Sequence, residues 1–584
     1  MSASCWTRKA AIAAATLVLW WAASVPSFAQ AGGGTAATAG AAQELEAQAL
    51  FRFPVGGVTT SGPVVAAGRV WLVSDSKTLY VVTVDGVAVG KRGLGEKRSG
   101  FIVGDAFGRA AISAGTNGMS LINRAGQEVW RVDLGTAPTG APVFGVDGRL
   151  YVIAGTAMIA FAPNGRRLWR DELPASPCTP LVLDSGGGPM VGLSDGSIVL
   201  YAADGARTRW LLPGGVPSVL ASAAGLVMAA TADGRVYIAA DGGADGAQLA
   251  PAGVELGARP VAAVARGTAA GTDGFYLLSA LGTLLCIDGS GTELWRTPVR
   301  LDGGQALLQS YRDRVVVLTA SAVSSYGLDG AGYRTLRLRN AVSMPVMAAN
   351  GTVFAGGSDW ILYAYRFERA LVPLARPEPP RMDLERVDAV AREESMWSHR
   401  PSDDSLTMNR LGDIEKSVGS GTIGVETGAA TLYASAVALG RMEAPFGSGA
   451  TVPVPSPRGA LPRAYACGLL GMLGLPQSVP VLVMVFERDP DPAVRAAAAA
   501  AIAAIGLDPE GLAMAAFARA TDGGRLDVRA ASAVVDAIDS LYRASGALDD
   551  RAGIMALVRI SGGDYPREVR SRAEQALRRV SSAQ

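Results

Sequence analysis

The chain has 584 residues, with 53 Lys and Arg against 52 Asp and Glu, a net charge of +1 and a single histidine. So even a balance argues against a nucleic-acid partner, which calls for a basic stripe, and one histidine supplies neither a His-based metal cluster nor a Ser-His-Asp set that can be placed. At this length several domains are expected, each with room for its own core.

Residues 1–29 read as an export signal: Arg8 and Lys9 make a basic start, residues 10–25 are an apolar run, and Ser27-Phe28-Ala29 offers small residues where a signal peptidase cuts. The run falls short of the roughly 20 residues of a membrane span, so cleavage after Ala29 is expected, with a retained anchor as the alternative. Cys5 precedes the apolar run and cannot become a lipidated mature terminus. The expected location is exported, periplasmic or envelope-associated, with no transmembrane segment in the mature chain and no nucleic-acid partner. Residues 30–47 read as a flexible N-terminal segment.

From residue 48 the chain repeats one pattern: a short strand, a turn glycine, then a tryptophan four or five residues on. It appears in MSLINRAGQEVWRVDL at Trp130, MIAFAPNGRRLWRDEL at Trp169, VLYAADGARTRWLL at Trp210 and LLCIDGSGTELWRTPV at Trp295. The period is near 40 residues, the last interval being double, with a degenerate copy near Val254; such a period built from strands means a propeller or a similar array. Extending the register puts outer strands near residues 90, 130, 169, 210, 254, 295 and 336. An eighth lies upstream, where QALFRFPV sets Phe51 in the place of the tryptophan. Because the last repeat, through TVFAGGSDWILYAYRFE, lacks an outer strand, the strand at Phe51 is expected to complete it and close the ring, leaving only short edges. Proline and small apolar residues open the inner strands at Pro63, Pro142, Pro180, Pro260 and Pro345, giving eight units over residues 48–368.

This pattern resembles the PQQ-like propeller repeat, shared by quinoprotein dehydrogenases and by the BamB-type outer-membrane assembly factor. The resemblance implies the fold; one fold hosts unrelated activities. In the quinoproteins the cofactor lies on a tryptophan floor beneath a disulfide of adjacent cysteines, with calcium held by Glu, Asn and Asp. This chain has no adjacent cysteine pair and its units carry no long inserted loops. The recurring Phe51, Trp130, Trp169, Trp210 and Trp295 therefore take a structural role, packing one blade against the next.

After residue 368 the composition changes. Residues 369–460 read as a Pro-rich linker with short helices near 382–396, 403–417 and 427–441, flanked by LVPLARPEPPR and APFGSGATVPVPSPRGA. Residues 461–584 carry a helical period anchored by Arg463, Arg495, Arg529 and Arg570, with small or apolar residues at the third, sixth and seventh positions after each arginine, such as Ala498, Ala501 and Ile502. Asp536 breaks the pattern. DPDPAVRAAAAAAIAAIG resembles the HEAT repeat of the short, PBS-lyase-like kind, which implies an α-solenoid and a protein partner. In that reading the aspartate caps the second helix and the arginine reaches back across the turn to an acidic group.

Other candidates take bland readings. Cys178, Cys286 and Cys467 are expected as small core residues without a disulfide; His399 as an exposed residue; DGSGTE at 288–293 as a hairpin turn; and the cluster Lys91, Arg92, Lys97, Arg98 as a solvated loop. No catalytic, cofactor-binding or metal-binding residue is expected. The expectation is a multidomain chain, an all-β eight-bladed propeller followed by a HEAT-like α-solenoid across a hinge. Its expected role is that of a noncatalytic envelope scaffold for protein partners. A PQQ-dependent quinoprotein oxidoreductase and a ligand-reading propeller sensor are the alternatives.

Overall fold

The computed structural model describes residues 43–581, apart from 46–47, 60–61, 96–99, 203–204, 242, 267–273, 302–304, 312–313, 339–340, 368–380, 398–403, 421–426, 442–458, 524–525 and 547–550. The export segment, His399, Lys97, Arg98 and most of both proline-rich stretches lie outside the described residues.

Eight antiparallel sheets form the blades. Seven are built from four successive strands, with outer strands Ala88–Gly93, Glu128–Asp133, Arg167–Glu172, Arg207–Leu211, Ala250–Glu255, Glu293–Pro298 and Gly332–Arg337. The eighth takes three strands from residues 346–366 and its outer strand, Ala49–Pro54, from the start of the propeller, so Phe51 opposes Ala364. Ring closure therefore uses one strand from each end of the propeller, which removes the open edges of a linear array.

One strand lies outside the expected pattern. Gln43–Leu45, within the segment read as flexible, pairs in parallel with the outer strand of blade 7 in the register Gln43↔Arg334 to Leu45↔Leu336.

Where an outer strand carries the aromatic of the repeat, its ring meets a glycine one blade further on. Trp130 lies over Gly165, Trp169 over Gly205, Trp295 over Gly330 and Phe51 over Gly86; a Cβ on any of these glycines would come within about 3 Å of the ring. Trp210 lies against Gly243 in looser contact. The indoles of Trp130 and Trp295 donate to Pro163 O at 2.8 Å and Leu328 O at 2.5 Å. Glycine is required twice at the close positions, for the left-handed turn (φ +85° at Gly165) and for the approach of the ring.

Ten helices follow among the described residues: α1 (Leu384–Trp397), α2 (Asp404–Ser420), α3 (Thr427–Ala438), α4 (Ala460–Leu473), α5 (Val479–Arg488), α6 (Pro492–Ile505), α7 (Leu512–Ala520), α8 (Val528–Ser545), α9 (Arg551–Gly562) and α10 (Arg567–Ser581). They stack in two layers, α1, α3, α5, α7, α9 against α2, α4, α6, α8, α10, each helix packing on the next of its own layer. The helices at 384–438 thus continue the solenoid even though they lack its arginine anchor. No described helix is long and apolar enough to cross a membrane.

The four arginine anchors behave differently. Arg463 is buried and grips Asp489 with two hydrogen bonds, 2.7 and 3.1 Å. Arg495 reaches back across its turn as expected but finds a carbonyl, Phe486 O at 2.8 Å, rather than an acid, because Asp489 is already engaged and Asp491 caps α6 by accepting from Ala493 N. Arg529 and Arg570 are exposed. Asp536, the break in the apolar pattern, is exposed and faces Arg572 at 3.4 Å.

Cys286 and Cys467 are core residues, and burial pushes their thiols up to about 11 and about 12. Cys178 is not: it is exposed just before the inner strand of blade 4, its Sγ 3.2 Å from Pro217 O, because the connection between blades 3 and 4 runs along the surface there.

Candidate interdomain binding groove

The solenoid is docked on the propeller. Strands alternate in direction within a blade, so the turns joining strands 1 to 2 and 3 to 4 share one face of the disc. On blades 2 and 3 these turns meet the ends of α2, α4, α6 and α8.

The helices arrive carbonyl end first. α4, α6 and α8 finish in left-handed glycines, Gly474 (φ +68°), Gly506 (φ +70°) and Gly546 (φ +78°), leaving last-turn carbonyls that need outside donors. The propeller supplies them. Asn123 Nδ2 donates to Arg543 O at 2.9 Å and Arg124 N to Ser545 O at 3.3 Å, both at the end of α8. Asn164 Nδ2 donates to Ala504 O of α6 at 2.8 Å. The Arg166 guanidinium donates to Met472 O of α4 and, at 2.8 Å, to Val418 O of α2. Burial pulls Arg166 below its ordinary pKa, and the negative ends of two helix dipoles offset that desolvation.

Local sequence explains why these turns can donate. Asn123 Oδ1 accepts from Ala125 N and Gln127 N, both at 3.0 Å, and so holds the hairpin turn while its nitrogen stays available. At the same turn position of blade 6 stands Asp288, whose Oδ1 accepts from Ser290 N and Thr292 N, both at 2.9 Å. Likewise Asn164 Oδ1 accepts from Arg166 N at 3.1 Å where Asp329 of blade 7 accepts from Ala331 N at 3.0 Å. Both side chains hold the turn; only the amide adds a donor.

Apolar contact completes the joint. One continuous core cluster runs from Tyr151, Trp169 and Tyr201 between blades 3 and 4 into Leu470, Ile502 and Ile538 of the solenoid. A Cβ at Gly148 would stand 3.1 Å from Leu507 Cδ2, and one at Gly546 2.8 Å from Asn123 Cγ. The sequence left open whether the two halves joined by the proline-rich hinge pack on each other; the described residues from 48 onward form one body, because helix ends that lack internal partners are satisfied by the propeller.

Beside this joint lies an open groove of about 550 Å³. Its floor is Gly468, Gly471, Ala497, Ala500, Ala501 and Ala504 of α4 and α6; Val418 and Gly419 wall one end, and Asn164 and Arg166 another. Gly471 is required by helix packing, since a Cβ there would lie 2.8 Å from Ala501 Cα. Among the described residues, Arg166 is the only charged side chain lining the groove.

The aromatic residues singled out in the sequence sit at blade junctions, and Arg463 and Arg495 brace the solenoid; none lines the groove. The residues that build it, Asn164 and Arg166 above all, belong to the hairpin turn that precedes Trp169 in the repeat. Their signal was the exchange of Asn for Asp at equivalent turns.

Residues 119–274 match the family model of the outer membrane protein assembly factor BamB, and residues 460–535 match that of HEAT repeats. Over these stretches the propeller is similar to the PQQ-like, BamB-type repeat and the C-terminal helices to HEAT repeats. No curated protein matches. Among solved structures, BamB from Moraxella catarrhalis is similar at 14% identity, covering 56% of this chain and 99% of that one with a TM-score of 0.43. The computationally designed Ika8 protein is similar at 15%, covering 56% and 100%, with a TM-score of 0.44. BBS1N in complex with ARL6DN is similar at 16%, covering 45% and 89%, with a TM-score of 0.36.

Proposed function

We propose that this chain is an exported, noncatalytic scaffold that binds protein partners of the cell envelope, in work of the kind named by its matching family model, outer-membrane protein assembly. The observation that carries this reading is the joint itself: four helix ends capped by propeller side chains hold the solenoid at a fixed angle, so that both domains present one composite surface. A rigid composite surface favours binding because no orientation entropy is lost when a partner touches both domains at once. The groove lined by Ala500 and Ala504 beside Arg166 is the concave part of that surface, apolar and small-residued, suited to receive a protruding segment of a partner.

The test is site-specific photo-crosslinking from position 500 in intact cells. Crosslinks to envelope-assembly proteins, lost on Gly468→Glu in a protein that still melts normally, support the reading. Absence of any crosslink, together with a redox-active quinone in the purified protein, contradicts it.

A further inference from the structure

The face of the propeller opposite the solenoid carries the turns between strands 2 and 3 and the connectors from one blade to the next. At one position of these turns blades 4, 5 and 6 place a left-handed glycine: Gly196 (φ +83°), Gly234 (φ +91°) and Gly282 (φ +81°). Blade 8 places Trp360 there, at φ +64° and 58% exposed. A bulky side chain in that conformation is strained, and this one gains little burial in return. Its backbone is fixed, since Trp360 O accepts from Val55 N at 2.8 Å. Leu281, at the matching tip of blade 6, is 81% exposed, and Leu307 and Val342 are exposed on the same face.

Basic residues flank these tips. Arg259 O accepts from Ala280 N beside Leu281, Val299 N donates to Gly282 O next to Arg300, and Leu338 N donates to Ser321 O next to Arg337. All three arginines are exposed, as is Lys77, which takes the left-handed position in blade 1 at φ +60°. Among the described turns and connectors of blades 6, 7, 8 and 1, the opposing acids are Asp75 and Asp359, and Asp359 already accepts from the Tyr363 hydroxyl.

We propose that this face docks on an anionic lipid surface. Trp360 and Leu281 project from separate hairpins. A fluid interface takes such anchors one by one, whereas a protein partner would engage a packed central cluster. An indole on a rigid turn suits the headgroup layer, and the arginines and Lys77 supply attraction to anionic lipid. Because the solenoid occupies the other face, docking here leaves the groove accessible.

Residues 40–584 form one compact unit, so the chain from Gln30 onward keeps it whole and serves as the test protein. It is sedimented with vesicles of phosphatidylglycerol and phosphatidylcholine, and with phosphatidylcholine alone. Binding is expected to the anionic vesicles only, weakening with added salt. The double variant Trp360→Gly, Leu281→Ser should lose roughly tenfold or more in affinity, the loss of a buried apolar side chain. Trp360→Gly alone should melt no lower than the parent, since glycine accepts the turn. Equal binding by parent and double variant, equal binding to both vesicle types, no binding, or a lowered Tm for Trp360→Gly would each overturn the proposal.

Discussion

Blades 2 and 3 and blades 6 and 7 are built to one plan, with the same hairpin turns at the same positions, yet only the first pair carries a solenoid. The polar part of the difference is Asn123 against Asp288 and Asn164 against Asp329, plus the arginine at 166. A carboxylate and an amide hold an Asx turn equally well through one oxygen; the amide nitrogen is what lets a turn cap a helix. Facing a helix C-terminus, a carboxylate would also meet the negative end of the dipole. The polar half of the docking is therefore specified by a few atoms on turns whose shape is common to the ring, beside the apolar contact around Leu507.

The strongest way to break the comparison is to remove the partner of blades 2 and 3. Arg463→Ala strands Asp489 in the core of the solenoid and should destabilise it by about 3–5 kcal/mol, unfolding the helices while blades keep their sheet signal. Circular dichroism melting at helix- and strand-sensitive wavelengths checks this. A smaller effect is expected of Arg166→Ala, which leaves Met472 O and Val418 O without their donor: a loss of about 2 kcal/mol at the joint. Calorimetry should then resolve propeller and solenoid melting as two transitions.

The sharpest form is an exchange. Asn123→Asp with Asn164→Asp keeps the turns and removes the two cross-domain amide donors, costing about 1–2 kcal/mol. Asp288→Asn with Asp329→Asn, on the unloaded side, should change stability by less than about 0.5 kcal/mol. Denaturant titration of the two pairs measures the contrast directly, and equal losses would sink it.

The smallest expected effect is in pH. The hydrogen bond from the Ser290 hydroxyl holds the Asp288 carboxyl below its ordinary pKa. Its contribution is complete above the unfolded value and is lost as pH falls through the lowered folded value. Asp288→Asn should flatten that part of the acid limb, while Asn123 contributes no such dependence.

How far this was legible follows from the same residues. The ring was readable because its period is written in large side chains: Trp130, Trp169, Trp210 and Trp295 recur in phase, and Phe51 holds the missing place in the eighth blade. The helical pairs were readable from Arg463 and Arg495 with their small-residue spacing. The partners of those rings, glycines one blade further on such as Gly165 and Gly330, were seen only as turns, since contact across blades has no local signature. Docking was hidden for a sharper reason. Asn and Asp are interchangeable as turn formers, so Asn164 is silent until a helix end is placed beside it, and proline-rich stretches made a hinge look natural. The strand at Gln43–Leu45 had too short a pattern to be separated from its surroundings.

The central claim, that solenoid and propeller are one body held at blades 2 and 3, is tested most directly by a distance measurement. Spin labels at exposed Val87 on the rim of blade 1 and Met555 on α9, in a Cys178→Ser background, report the separation of the two domains by pulsed electron paramagnetic resonance. A single narrow distance distribution that broadens on combining Arg166→Ala with Asn164→Asp is predicted. A distribution already broad in the parent, and unchanged by those substitutions, would contradict the account.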